Sequence, residues 1–190
     1  MRGNRAPALC EAAKSVLVVM DIQSRLTAVM PAKVLARLQR NVTMLLQAAQ
    51  RLEVPVVASE QNPKGLGPLE PEVARLLPAG SKRYTKTAFS LATDAGFLKD
   101  LEDSGRRQVV MTGLEAHICI LQTAIELETA GFEVFVVADA VCSRHRENYE
   151  TALFRLRDAG ATVCDAESVL FEWVRDSRHE QFKALQTLIR

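Results

Sequence analysis

Apolar and polar positions in this chain alternate between short solid runs and longer stretches with helical spacing. Ser15 to Met20 is a continuous apolar run rich in Val that stops at Asp21, the pattern of a strand buried on both faces of a parallel sheet. From about Pro31 to Leu52 the apolar residues recur at helical spacing: Val34, Leu35, Leu38, Val42, Leu45, Leu46 and Ala49. Pro55 to Ser59 predicts a second strand, followed by a Pro- and Gly-rich loop from Asn62 to Pro71, a short helix around Glu70 to Leu77 and a short third strand at Arg83 to Thr85. Asp94 to Asp103 predicts a helix that Gly105 ends. Gln108 to Thr112 predicts the fourth strand, and His117 to Thr129 a helix stopped by Gly131. Phe132 to Ala138 predicts a fifth strand ending at Asp139, Arg146 to Ala159 a helix closed by Gly160, and Ala161 to Cys164 the last strand. Two helical pieces follow, near Glu167 to Arg175 and His179 to Leu188. Strands alternating with helices predict an α/β fold: a three-layer α/β/α sandwich around a parallel, roughly six-stranded, Rossmann-like sheet with right-handed crossovers. Residues 15–190 are expected to form one domain behind a flexible N-terminal leader, residues 1–14.

The bulk numbers narrow the partners. A chain of 190 residues fits one domain with a full core. Its 24 basic and 23 acidic residues leave a formal charge of +1, which gives no electrostatic footprint for nucleic acid or an anionic membrane and conflicts with a nuclease. Aromatic residues at 5% argue against stacking platforms for single strands. With no apolar run of the roughly 18 residues a membrane span needs, none is expected. The four cysteines, Cys10, Cys119, Cys142 and Cys164, are far apart and form no C-x-x-C pair, which suits reduced thiols in the cytoplasm rather than a zinc or disulfide framework. The first residues, Met-Arg-Gly-Asn-Arg-Ala-Pro-Ala, carry two arginines but lack the apolar core of a secretory signal, and a role in organelle targeting stays open.

Three polar residues then stand at or just beyond predicted strand ends. Asp21 follows the first strand, Lys86 the third, and Cys119 the fourth, in the strand-turn-helix run Gln108 to Cys119. In open α/β sheets ligands bind at this carboxyl edge. Free N–H groups and the helix dipole there are expected to favour a thiolate. A thiol needs a base or a cation to become a nucleophile, and Asp21 and Lys86 supply one of each. A capping carboxylate, a solvated lysine and a buried apolar thiol are the bland alternatives for the same three residues. His117 is two positions from Cys119, a spacing at which helical side chains do not face each other, so it is not the expected base. His145 and His179 are expected at the surface, and the three histidines lack metal-ligand spacing. Gly65 and Gly67 belong to no phosphate-cradling motif. Asp139, with Ser143 and Arg144 after it, is placed at the same edge, chiefly as a loop-ordering carboxylate.

The segments Val-Val-Met-Asp-Ile-Gln, Lys-Thr-Ala-Phe-Ser, Gly-Leu-Glu-Ala-His-Ile-Cys and Val-Phe-Val-Val-Ala-Asp-Ala-Val-Cys-Ser-Arg together resemble the isochorismatase-like cysteine hydrolase superfamily. Ala-Ser-Glu-Gln-Asn-Pro-Lys-Gly-Leu-Gly and Val-Leu-Phe-Glu-Trp point to its isochorismatase-domain-containing subgroup. The resemblance implies a catalytic triad of Asp21, Lys86 and Cys119 and a cis peptide between Leu114 and Glu115. It also implies an oxyanion hole built from the backbone N–H groups of Glu115 and Cys119. Asp21 would take the thiol proton, Cys119 would form a thioester with the substrate, and water would release it. Nicotinamidases of the superfamily hold a metal through histidines after the second strand; Ser59 to Pro63 contains none, so no metal and no cofactor are expected. True isochorismatases cleave a vinyl ether without needing the nucleophilic Cys, so Cys119 favours hydrolysis of a small amide or related carbonyl compound. Loop position and analogy suggest a substrate pocket of Gln23, Leu26, Gln61, Phe89, Glu115 and His117. A homo-oligomer is expected, with the segment around Phe171 and Trp173 packing on a partner or closing the chain's own core. The competing reading is a protein of the same fold that works by interaction, with little turnover.

Overall fold

Ser15–Met20 forms the first strand, β1, with all six residues buried, as a solid Val-rich run requires when both of its faces are covered. In a computed structural model that describes residues 8–189, five more strands join it: β2 Val56–Gln61, β3 Lys82–Lys86, β4 Gln108–Leu114, β5 Glu133–Cys142 and β6 Thr162–Cys164. The six form one sheet in the order β3-β2-β1-β4-β5-β6, and each pairing is parallel. This is the doubly wound arrangement, in which the order reverses between β1 and β4.

Among the described residues nine α-helical segments connect and cover the strands: α1 Ser24–Thr27, α2 Ala32–Arg51, α3 Pro63–Leu66, α4 Pro71–Leu76, α5 Ala95–Asp103, α6 Leu121–Thr129, α7 Arg146–Ala159, α8 Ala166–Val174 and α9 Phe182–Gln186. Their apolar stripes divide between the two faces of the sheet. Leu17 and Val19 of β1 pack with Leu38, Val42 and Leu45 of α2 and with Val169, Leu170 and Trp173 of α8. Val16, Val18 and Met20 point the other way, towards Phe97 and Leu101 of α5, Leu121 and Ala124 of α6, and Leu153 and Leu156 of α7. The three-layer expectation is met. Local signals end the helices where the sequence predicts: Asp94 Oδ1 accepts the Phe97 N–H to cap α5, and Gly160, at φ +108°, closes α7. No helix among the described residues is long and apolar enough to cross a membrane.

Three details depart from the expectations. β5 does not end at Ala138 but runs on to Cys142 through an irregular stretch, since Met111 pairs with Val136 while Gly113 pairs with Val141. Asp139 therefore lies inside the strand. Its Oδ1 accepts the Ala166 N–H at the start of α8, while Asn41 of α2 donates to its carbonyl. It orders this junction rather than lining the carboxyl edge beside Asp21, and burial pushes its carboxyl upward. The segment after β4 opens as a π-helical turn, Ala116–Ile120, before α6 begins at Leu121. Residues 1–7 of the expected leader lie outside the described residues. Cys10 is fully buried, and its Sγ accepts the Trp173 Nε1–H at 3.1 Å. Trp173 is 4% exposed, so the C-terminal segment closes the chain's own core, with Phe171 left at the surface.

Candidate functional site

Asp21, at the end of β1, sits on the switch point. It adopts φ +52°, a left-handed conformation that Asp tolerates better than most residues. Its N–H donates to the Ser59 carbonyl and its carbonyl accepts the Gln23 N–H, which fix this turn. On the other side of the switch point β4 comes unusually close. Gly113, at φ +116°, lies so near that an added Cβ would stand 1.9 Å from the Met20 carbonyl oxygen. Only glycine fits there, and its absence of side chain lets the turn that carries Cys119 close over Asp21. The Leu114–Glu115 peptide, next in the chain, is cis.

Lys86 reaches this point from the end of β3, two strands from β1. Its Nζ donates to Asp21 Oδ2 at 2.8 Å, to Gln61 Oε1 at 2.6 Å and to Cys119 Sγ at 3.4 Å. Ser59 Oγ donates to the other carboxylate oxygen, Asp21 Oδ1, at 2.7 Å. The Lys86 and Asp21 side chains are 3% and 0% exposed, so this ion pair is removed from water and depends on these partners. Cys119 is 6% exposed and within hydrogen-bonding range of Asp21. Burial, and next the Asp21 carboxylate, push its thiol up to about 12, with Lys86 opposing. This direction runs against the expectation of a thiolate favoured by free N–H groups and a helix dipole. Cys119 lies within the π-turn, in a desolvated pocket beside a carboxylate, surroundings that favour the protonated thiol.

The six residues suggested for a pocket have separate placements. Gln23 is fully buried and bound to backbone: its Nε2 donates to the carbonyls of Gln61 and Gly67, and its Oε1 accepts the Gln61 N–H. Gln61 is bound to Lys86. Leu26 is partly buried against the core, and Phe89 is 52% exposed on the loop after β3. His117 Nδ1 lies 2.9 Å from Ser143 Oγ, a contact directed to the loop after β5. Glu115 is buried and accepts from the Arg144 backbone N–H and Nε. Ser59 escaped the sequence reading, although a serine one residue past the apolar part of a buried strand was a visible signal. Among the described residues no group of three or more His, Cys, Asp or Glu is arranged to hold a metal ion. A cavity of about 460 Å³ lined by Val16, Pro55, Ser81, Phe97 and Leu101 opens at the amino edge of the sheet, opposite this cluster, and none of Asp21, Lys86 and Cys119 lines it.

A doubly wound parallel sheet with a carboxylate, an ammonium and a thiol gathered at its switch point defines an α/β protein of the isochorismatase-like hydrolase fold. The chain belongs to the isochorismatase domain family, whose model matches residues 15–168. It is 42% identical over 147 residues to isochorismatase domain-containing protein 2 of Xenopus laevis, a match covering 76% of this chain and 69% of that protein. Among solved structures it is similar to the MAR1 ribonuclease of Caenorhabditis elegans, with a TM-score of 0.90 and 32% identity, covering 96% of this chain and 92% of that one. The YcaC gene product of Escherichia coli, described as an octameric hydrolase of unknown specificity, shares the fold with a TM-score of 0.89 at 22% identity, covering 98% of this chain and 91% of that one.

Proposed function

We propose that this chain is a cysteine hydrolase of small amides or related carbonyl compounds, with Cys119 as nucleophile, Asp21 as proton acceptor and donor, and Lys86 as the cation that serves both. The observation that carries the reading is the buried contact of Lys86 Nζ with Asp21 Oδ2 and Cys119 Sγ at once. In the resting site the thiol is protonated, and Asp21 and Lys86 together are neutral. As a substrate carbonyl approaches, the Sγ–H proton passes to Asp21 and Sγ bonds to the carbonyl carbon. The oxygen takes up negative charge, facing the backbone N–H groups of Glu115 and Cys119, and Lys86 stabilises the separated charges. Asp21 then returns its proton to the leaving nitrogen as the C–N bond breaks, leaving a thioester. Water, deprotonated by the same carboxylate, attacks the thioester and releases a carboxylic acid and the thiol. Every step is proton-balanced within the site, with no cofactor and no metal required of it.

A panel of small primary and secondary amides, with release of ammonia or amine as the readout, tests this in wild type, Cys119→Ala and Asp21→Asn. Turnover is expected for at least one member and should vanish in both variants. Activity that survives in Cys119→Ala removes the covalent route. Cleavage of an RNA phosphodiester is a second reading, favoured by the name of the Caenorhabditis elegans neighbour. Cleavage of a labelled oligonucleotide by wild type and not by Cys119→Ala would establish it. We further infer a homo-oligomer, in line with the octameric neighbour, and a reducing cytoplasmic setting that suits four free cysteines. Light scattering after size exclusion tests the first.

A further inference from the structure

An ammonium nitrogen has three protons, and Lys86 Nζ meets three acceptors: Asp21 Oδ2, Gln61 Oε1 and Cys119 Sγ. A neutral amine, with two N–H groups, cannot serve all three. Two of these acceptors change protonation in the proposed reaction; Gln61 does not. The orientation of its amide follows from its other end, because Nε2 donates to the Thr87 carbonyl at 2.7 Å and so turns Oε1 onto Lys86. Gln61 is also the β2 residue in register with Lys86 of β3. Its backbone is gripped in turn by Gln23, which takes its N–H at 2.7 Å and donates to its carbonyl at 3.0 Å. Both glutamines are buried. Side chains so fully bonded within the protein have little left with which to contact a substrate.

We propose that Gln61 is a positioning residue for Lys86: a neutral acceptor that takes the third ammonium proton and holds Nζ between Asp21 and Cys119, with Gln23 bracing it from the end of β1. This rests on the reading of Cys119 as the nucleophile. Neutrality is central to the role. The charged groups acting on the thiol are Asp21 from β1 and Lys86 from β3, and Gln61 changes neither charge, only where one of them stands. A carboxylate at position 61 would draw the ammonium away and place a second negative charge beside a developing thiolate. An apolar side chain would leave one N–H without a partner, and Nζ would settle on Asp21, away from Sγ.

Alkylation of Cys119 by iodoacetamide, followed by peptide mass spectrometry across a range of pH, tests this without knowledge of the substrate. Wild type, Gln61→Glu, Gln61→Met and Lys86→Met are compared, each checked for folding by circular dichroism. Gln61→Glu should move the alkylation profile to higher pH by about one unit. Gln61→Met should slow alkylation on the order of tenfold at each pH, from loss of one hydrogen bond to a charged group. If one of these variants does not fold, the other carries the test. Profiles of the folded Gln61 variants that superimpose on wild type overturn the proposal. When Lys86→Met still slows the reaction in that case, the reading of the reactive centre stands and only the role of Gln61 falls. A Lys86→Met profile identical to wild type, or alkylation at another cysteine, counts instead against Cys119 as the nucleophile.

Discussion

Replacing Lys86 by methionine removes the counter-charge from a carboxylate with no access to water. Asp21 is 0% exposed, and the side-chain donors left to it are the Ser59 hydroxyl and the Cys119 thiol. Breaking a buried pair by deleting one partner costs about 3–5 kcal/mol, because the other charge is left uncompensated. That is a large share of the roughly 5–15 kcal/mol by which a domain is stable. With a urea m-value of about 2 kcal/mol/M, the unfolding midpoint should fall by roughly 2 M. The double variant Asp21→Asn/Lys86→Met contains no buried charge at this point and keeps an acceptor for Ser59. It should therefore be more stable than Lys86→Met alone, with a coupling energy of about 2–3 kcal/mol in the double-mutant cycle. Urea unfolding followed by circular dichroism measures all four corners. A loss below about 1 kcal/mol for Lys86→Met, or two single losses that simply add in the double variant, would refute the account of a desolvated, mutually dependent pair.

Gly113→Ala should lose on the order of 3–5 kcal/mol, combining a disallowed φ with a clash against the Met20 carbonyl, and slow Cys119 alkylation along with it; unchanged unfolding and labelling would contradict the close approach of β4 to β1. The Cys142 thiol is fully buried and pushed up to about 12, chiefly by burial and then by Glu115. Between pH 9 and 12 the unfolded thiol ionises while the native one keeps its proton, so native binding of protons exceeds unfolded binding and stability falls as pH rises, by up to about 1.4 kcal/mol per unit. Urea midpoints of wild type should thus decline more steeply over that window than those of Cys142→Ala, and parallel declines would count against it. Trp173→Phe deletes the indole N–H that serves Cys10 Sγ and Ser15 Oγ and should cost about 1–3 kcal/mol by chemical unfolding, with no change in Cys119 labelling; a variant as stable as wild type would mean that this contact does not fasten the N-terminal segment to α8.

What could be read from the chain, and what could not, divides along the range of the interactions involved. β1, α2, α7 and the glycine that ends α7 were legible because periodicity and capping act within a few residues. The strand ends that hold Asp21 and Lys86 were legible for the same reason. The continuation of β5 past Asp139 was not, because its irregularity arises from pairing with β4 and from Asn41 and Ala166 on separate elements. The forces acting against a thiolate at Cys119 were hidden for a related cause. Local dipoles favour a thiolate, but burial and a carboxylate from a strand about a hundred residues away prevail. Gln61 drew attention as a loop residue at the site, yet its bonding to Lys86 depends on the β2–β3 register, which no local pattern displays.

The order of strands has a consequence for the chain as it is made. β1 occupies the middle of the sheet, yet one of its neighbours is β4; Thr112 Oγ1 donates to the Val18 carbonyl across 94 positions of sequence. At roughly 5–20 residues per second, synthesis leaves β1 without that neighbour for about 5–20 s. During that time a Val-rich strand, apolar at every position after Ser15 and paired at most to β2, presents an open edge of the kind that recruits other chains. Nascent chains halted before β4 should therefore engage holdase chaperones strongly and release them once the fourth strand has emerged and sealed that edge.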